Sequence, residues 1–262
     1  MNRGYLSQAK TVLCRTLGLL FVLTLIYFLP PAASAQVLWS ADTSRGTAVF
    51  EGLEEAPGII DVVADPKGVY GNVYKYSTWD DSSYGKERCE SLGTRTPSGD
   101  FRVSLGAPIP SAGGRSGSQY PPMVHGWDFG RCTATGLRER VHLWVLRSVN
   151  GDGNLYMQNG VNGANVNFWH TPLRLGVWNK FVVHVHLEKD LTGWVELWYD
   201  GQQQTSINSK TRYYCSTWDN LSGSYNLFKW GVYRSSTLNG KGDASAYMSG
   251  AKIGLRYSDV AP

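Results

Sequence analysis

The chain has 262 residues, 13% of them aromatic, with 30 Gly, 11 Pro and a formal net charge of +4. Three of its 25 Lys and Arg residues and none of its 21 Asp and Glu residues precede Gln36, so the remainder carries 22 basic against 21 acidic side chains, a net +1. A nearly neutral domain without a basic run is not built for nucleic acid, and any hold on a polyanion must come from a local cluster of charge.

Read from the N-terminus, Arg3, Lys10 and Arg15 lead into the apolar run Leu17 to Leu29, which ends at Ala33-Ser34-Ala35. A basic start, an apolar core and an A-x-A site predict a secretory signal peptide over residues 1–35, and a secreted, extracellular domain from Gln36. Cys14 lies before the apolar run, the wrong place for a lipoprotein cysteine. No later apolar stretch approaches the roughly 18 residues of a membrane helix. Residues 36–262 have the length of one all-β domain.

Short alternating runs punctuated by Gly and Pro follow, and none keeps a helical period for three turns. Strands are predicted at Val69 to Tyr76, Lys86 to Leu92, Phe101 to Leu105 and Met123 to Trp127, with Pro108 to Pro122 a Gly/Ser/Pro loop. Val141 to Arg147 pairs with Asn154 to Gln158 across Asn150-Gly151-Asp152-Gly153. The clearest hairpin runs from Phe181 to Glu188, turns over Lys189 to Gly193 and returns through Trp194 to Tyr199. Leu227 to Tyr233 and Lys252 to Tyr257 complete the set. About ten or more strands in this length imply an all-β, two-sheet jelly roll, a concanavalin A-like sandwich.

Several positions along these strands bear on chemistry. Arg88 and Glu90 share one face of their strand, either as an exposed ion pair or as a fork that holds a bound carboxylate. His125 shares a face with Met123 and Trp127, and Gly126 follows it. His184, His186 and Glu188 share a face of the hairpin; two His at i,i+2 without a third ligand favour a solvated or hydrogen-bonded outer face over a metal site. Cys89, Cys132 and Cys215 allow one disulfide in an oxidising exterior, with Cys89–Cys132 preferred and the other pairings open. In Phe228-Lys229-Trp230-Gly231-Val232-Tyr233-Arg234, alternation turns Phe228, Trp230 and Val232 to the core and sets Lys229 and Tyr233 on the open face around Gly231. That face suits binding an anionic polymer and moving a proton on it. Nucleophile-elbow and P-loop patterns are absent, and no strand carries the paired acids of a glycosidase.

Trp178-Asn-Lys-Phe-Val-Val-His-Val-His, Gly193-Trp-Val-Glu-Leu-Trp-Tyr-Asp-Gly and Phe228-Lys-Trp-Gly-Val-Tyr-Arg together resemble polysaccharide lyases of the heparin lyase I and glucuronan lyase type. The resemblance is best over Asn179 to Arg234 and extends back to Arg88-x-Glu90. It implies a jelly roll whose concave sheet holds an acidic polysaccharide, with Lys229 and Tyr233 lining the active site. The family's Gln-x-His-Gly strand matches Met123-Val124-His125-Gly126, which makes His125 the catalytic imidazole and puts Met123 where the Gln stands. Some members hold calcium. This chain offers no clear ligand set for it, although Asp219 and Asn220 lie near the corresponding place, and no cofactor is otherwise required.

β-Elimination on a uronate needs its carboxylate neutralised, a base for the C5 proton and an acid for the O4 leaving group. Arg88 is assigned the first task, His125 the second and Tyr233 the third, since a phenol is already a competent acid near neutrality. Lys229, roughly 13 Å along the strand from Tyr233, grips a neighbouring sugar. The expected activity is therefore eliminative cleavage of an unsulfated polyuronate by a monomer, with no nucleic-acid or membrane partner after leader removal. The rival is a non-catalytic carbohydrate-binding module of the same fold, which Met123 would suit.

Overall fold

The computed structural model describes residues 36–81, 83–84, 86–96, 99–108, 124–125, 130–132, 145–148, 154–161, 164–172, 174, 176–188, 190–217, 225–235 and 243–261. All fall in one compact unit, Gln36–Pro262. In chain order the strands are β1 (Val37–Ser40), β2 (Gly52–Ala56), β3 (Ile59–Ala64), β4 (Asn72–Thr78), β5 (Lys86–Thr96), β6 (Gly99–Pro108), β7 (Val124–His125), β8 (Gly130–Cys132) and β9 (Val145–Ser148). They continue as β10 (Asn154–Val161), β11 (Ala164–Pro172), β12 (Trp178–Leu187), β13 (Trp194–Tyr199), β14 (Gln202–Gln203), β15 (Tyr213–Tyr214), β16 (Tyr225–Ser235) and β17 (Ala244–Gly254). A 3-10 helix over Thr43–Val49 and a single α-helical turn, α1 (Tyr257–Val260), are the helical pieces among the described residues. Neither is long or apolar enough to cross a membrane.

One sheet runs β14-β13-β12-β6-β17-β4-β3, with β1 added on β17 and β15 on β13; a second runs β2-β5-β16-β7, with β8 also on β16; β11-β10-β9 form a third. The first two make the layers of a jelly roll. Their inner faces meet through aromatic side chains: the Trp230 ring lies 5.1 Å from Phe50 and 5.7 Å from Trp39, both edge-on, and Phe50 lies 4.9 Å from Tyr74. The Tyr76 hydroxyl and Ser91 Oγ, 2.7 Å apart, tie β4 to β5 across the buried seam. Trp230 is wholly buried, and truncating such a residue to Ala costs about 3–5 kcal/mol.

The predicted hairpin forms as β12 and β13, with Phe181 opposite Tyr199 and His186 opposite Trp194. β9 and β10 also pair antiparallel as expected. The strand expected from Val69 begins only at Asn72, because the buried Asp65 carboxylate accepts the backbone N–H groups of Lys67, Val69 and Tyr70 and holds that stretch in a turn. The strand expected over Lys252 to Tyr257 is instead the end of the eleven-residue β17. Tyr257 starts α1, fixed by the Arg256 N–H donating to Asp259 Oδ2 at 3.0 Å. The loop Pro108 to Pro122 lies outside the described residues beyond Pro108.

Candidate active site

β16 sorts its side chains as a strand should. Phe228, Trp230 and Val232 are fully buried in the core, and Lys229 emerges on the other face. Gly231, at φ +149°, is required by the sheet itself: a Cβ there would stand 2.1 Å from the Cys89 carbonyl oxygen and 2.5 Å from Glu90 Cα of β5. Its freedom is used for close strand approach, whatever room it also leaves for a ligand.

The register across this sheet builds the site in three rows. Glu54 of β2 pairs with Glu90 of β5, Glu90 with Gly231 of β16, and Gly231 with His125 of β7. Beside that central row, Ala56, Arg88 and Tyr233 form a second, and on its other side Gly52, Leu92 and Lys229 form a third. Directly opposed residues share a face and alternate ones along a strand return to it. The four positions expected to carry the chemistry, Arg88, His125, Lys229 and Tyr233, thus lie at neighbouring register positions of one sheet. The side chains of His125 and Tyr233, and all of Met123, Asp219 and Asn220, lie outside the described residues.

Two acids facing each other across β2 and β5 would repel. Here a cation from each flanking row reaches in between them. Glu54 Oε2 lies 2.5 Å from Arg88 Nη1 and 2.6 Å from Lys229 Nζ; Glu90 Oε2 lies 3.2 Å from Arg88 Nε and 2.9 Å from Lys229 Nζ. The result is a ring of alternating charge, neutral in total. It is largely dehydrated, with side-chain exposures of 15% for Arg88, 10% for Lys229, 8% for Glu54 and 1% for Glu90. Strand alternation alone predicts Lys229 in an open cleft; instead it is 8% exposed, drawn down onto two carboxylates. Arg88–Glu90 is neither an exposed pair nor a fork held ready for substrate alone, since the guanidinium already serves both Glu54 and Glu90. Glu54 is the site residue that sequence reasoning misses. Its only local signal is a place on the outer face of a short Leu-Glu-Glu run, and its partners are 34 and 175 residues away.

The remaining candidates fall elsewhere. His184 is 5% exposed with Nδ1 2.7 Å from Glu196 Oε2; Arg212 Nε donates to Glu196 Oε1 at 2.9 Å and its guanidinium covers the Trp194 ring at 4.0 Å. His186 stacks on that same ring. His184 therefore belongs to a hydrogen-bonded network on the β12/β13 hairpin, with His186 stacked beside it. Among the described residues no group of three or more His, Cys, Asp or Glu side chains could hold a metal ion, and no step is assigned to calcium. Cys89 and Cys215 are buried free thiols, so the preferred Cys89–Cys132 pairing is wrong. Cys89 points into the core opposite Val232, whereas Cys132 sits opposite Tyr225, seven positions or about 23 Å along β16. Burial pushes both thiols up to about 12.

Known proteins share the fold and the family. A family model described as polysaccharide lyase matches residues 110–252, more than half of the chain. The endo-β-1,4-glucuronan lyase of the fungus Trichoderma reesei is similar in structure, with a TM-score of 0.59 at 14% identity over 80% of this chain and 93% of that one. The alginate lyase vAL-1 of Chlorella virus gives 0.55 at 12% identity over 84% and 100%, and the cellulose induced protein Cip1 gives 0.53 at 14% over 83% and 97%. At such identities the likeness concerns the fold. No curated protein matches the sequence significantly. Nothing in these matches singles out the heparin lyase I type. The chain belongs to the polysaccharide lyase family and is a polysaccharide lyase.

Proposed function

We propose that the protein is a secreted lyase that cleaves a polymer of unsulfated uronic acids by β-elimination, with His125 as base and Tyr233 as acid. The observation that carries the reading is the register: His125 lies opposite Gly231, and Tyr233 is two positions along β16 and opposite Arg88. Such diagonal neighbours on adjacent strands are about 7–8 Å apart at the backbone, enough for one pyranose ring between two side chains. The C5 proton passes to the His125 imidazole, the C5–H electrons become the C4=C5 double bond, the C4–O4 bond breaks and the Tyr233 hydroxyl gives its proton to O4. Solvent then returns a proton to the phenolate and removes one from the imidazolium.

The charge ring supplies orientation more than net attraction. Arg88, held by Glu54 and Glu90, keeps its guanidinium beside the Tyr233 row, where it polarises the uronate carboxylate. Lys229 locks the two acids in place and does not reach out to a separate sugar. A neutral ring in a domain of net charge +1 suits a polymer with one carboxylate per unit better than a heavily sulfated one.

Incubation with glucuronan, alginate and polygalacturonate, followed by ultraviolet absorbance of the unsaturated product, tests the reading. His125→Ala should abolish eliminative product, a loss of at least ~10²–10⁴-fold for a general base, while polymer binding persists. Undiminished product from that variant would transfer the base role to another residue, and no unsaturated product from any polyuronate would end the proposal.

A further inference from the structure

β10 and β11 carry a polar face that the proposed proton transfers do not use. Their apolar side chains turn to the core: Phe168 stacks on Tyr213 of β15 at 4.3 Å and Trp169 meets Tyr199 of β13 at 5.6 Å, and Leu155 and Met157 of β10 belong to the same buried cluster. The β9–β11 strands thus cover the large sheet that the β16 layer also covers, through Trp230 on Trp39. Their opposite face therefore looks out on the side of Arg88 and Lys229. The β9 backbone approaches β7 within 8 Å, closer than the roughly 10 Å of sheets packed face to face, so these strands extend the β16 layer edge to edge past His125.

A register shift decides which side chains reach that outer face. Met157 pairs with Trp169 but Gln158 pairs with Asn167, so β11 holds one extra residue, and Phe168 and Trp169 are both buried. Strict alternation would put Asn167 and His170 on opposite faces; the bulge brings both out, exposed, on one. There the His170 and Tyr156 rings lie 5.7 Å apart, and Gln158 Nε2 donates to Asn167 Oδ1 at 2.8 Å. That bond occupies the Asn167 acceptor and turns its two Nδ2 donors away from Gln158.

Charge separates this face from the ring. The ring is neutral, whereas β9, β10 and β11 contain no Asp or Glu, and their basic residues are Arg147 and His170. Arg147 stands opposite Tyr156 on one side and His170 opposite it on the other. With strands about 4.8 Å apart, β10 and β11 lie about 10 and 14 Å from β7, where sugars beyond those at the cleaved bond would pass.

We infer that Tyr156, Asn167 and His170 bind a flanking uronate of the polymer, and that this subsite supplies the attraction for an acidic chain that the neutral ring lacks. Asn167 Nδ2 and the His170 imidazole donate to carboxylate and hydroxyl oxygens of the sugar, and Gln158 holds the Asn167 amide in position. The inference rests on the uronate reading of the site given above.

The test uses uronate trimers and hexamers, from glucuronan and from alginate, as substrates for the wild type, Asn167→Ala, His170→Ala and His170→Glu. Calorimetric titration of the hexamers into each, in a His125→Ala background, measures binding without turnover. In each Ala variant the hexamer-to-trimer ratio of kcat/KM should fall roughly three- to tenfold, through the hexamer KM, and hexamer affinity should fall by the same factor. His170→Glu should cost more than His170→Ala, because it sets a like charge against the polymer. Hexamer affinity indifferent to both Ala substitutions, equal losses on trimer and hexamer, or wild-type affinity in His170→Glu would each overturn the inference. Hexamer binding that depends on Asn167 and His170 in a protein that releases no unsaturated product would end the eliminative reading and uphold the subsite.

Discussion

Replacing Glu54 by Gln keeps the size and one acceptor oxygen of the side chain and removes its charge. In the native ring that carboxylate takes Arg88 Nη1 at 2.5 Å and Lys229 Nζ at 2.6 Å. Among the four ring residues the substitution leaves two cations against Glu90, a net +1 where side-chain exposure does not exceed 15%. Removing one partner from a buried pair costs about 3–5 kcal/mol. Because Glu90 still serves both cations, the lower end applies, about 3 kcal/mol, or roughly 6–12 °C in melting temperature for a domain of this size. Activity should fall roughly ten- to 100-fold in kcat as Arg88 loses its orientation, without a rise in KM, since the face has become more positive toward a polyuronate. Thermal unfolding and steady-state kinetics check both. The decisive measurement is the cycle with Lys229→Met: the double variant restores one cation to one anion, so it should be more stable than the two single losses predict by at least about 1 kcal/mol. Strict additivity, or a melting temperature within about 2 °C of the wild type for Glu54→Gln, would refute the ring as a coupled unit.

Gly231→Ala should prevent native accumulation or lower stability by more than about 3 kcal/mol, as seen in denaturant melts, because its Cβ would lie 2.1 Å from the Cys89 carbonyl at φ +149°. Asp65 should contribute to acid sensitivity: burial opposes its ionisation, but the N–H groups of Lys67, Tyr70 and Val69 and the Trp178 indole outweigh it and hold the carboxyl below its ordinary value. A depressed folded-state value means the contribution is complete above about pH 4 and disappears as pH falls through the folded value, so Asp65→Asn should flatten the acid limb of a stability-against-pH curve; an unchanged limb contradicts the assignment. Cys89 and Cys215, with thiols raised to about 12 by burial, should stay unalkylated in the native protein at pH 8 and react once it is denatured, by peptide mass mapping; rapid native labelling of either would place it at the surface.

The parts of this fold that are legible in the sequence are those whose information is local. β16 declares itself because period-two alternation assigns Phe228, Trp230 and Val232 to one face and Lys229 to the other within seven residues, and their burial follows that assignment. The β12/β13 hairpin is legible for the same reason, two aromatic-rich alternating runs about a short turn. β2 and β3 escape because Gly52–Ala56 reads as an acidic connector and Ile59–Ala64 runs apolar without alternation. β17 escapes over most of its length because its inward residues include Ala244 and Ala246, which carry little strand preference.

The site divides along the same line. Arg88 and Glu90 announce a shared face two residues apart, but their state is set by Glu54 and Lys229, and no window on the sequence joins residues 54, 90 and 229. Only register does so, through Glu54 opposite Glu90 and Glu90 opposite Gly231. That long-range pairing changes the chemistry as well as the geometry. A lone arginine on an open strand would bind a substrate carboxylate by net charge, whereas an arginine inside a neutral ring is oriented first and attracts second. In the proposed mechanism, recognition of the polymer then rests on how that guanidinium is aimed relative to the His125 and Tyr233 positions, so substitutions that leave the cations in place but remove Glu54 should reach the reaction as surely as loss of a cation.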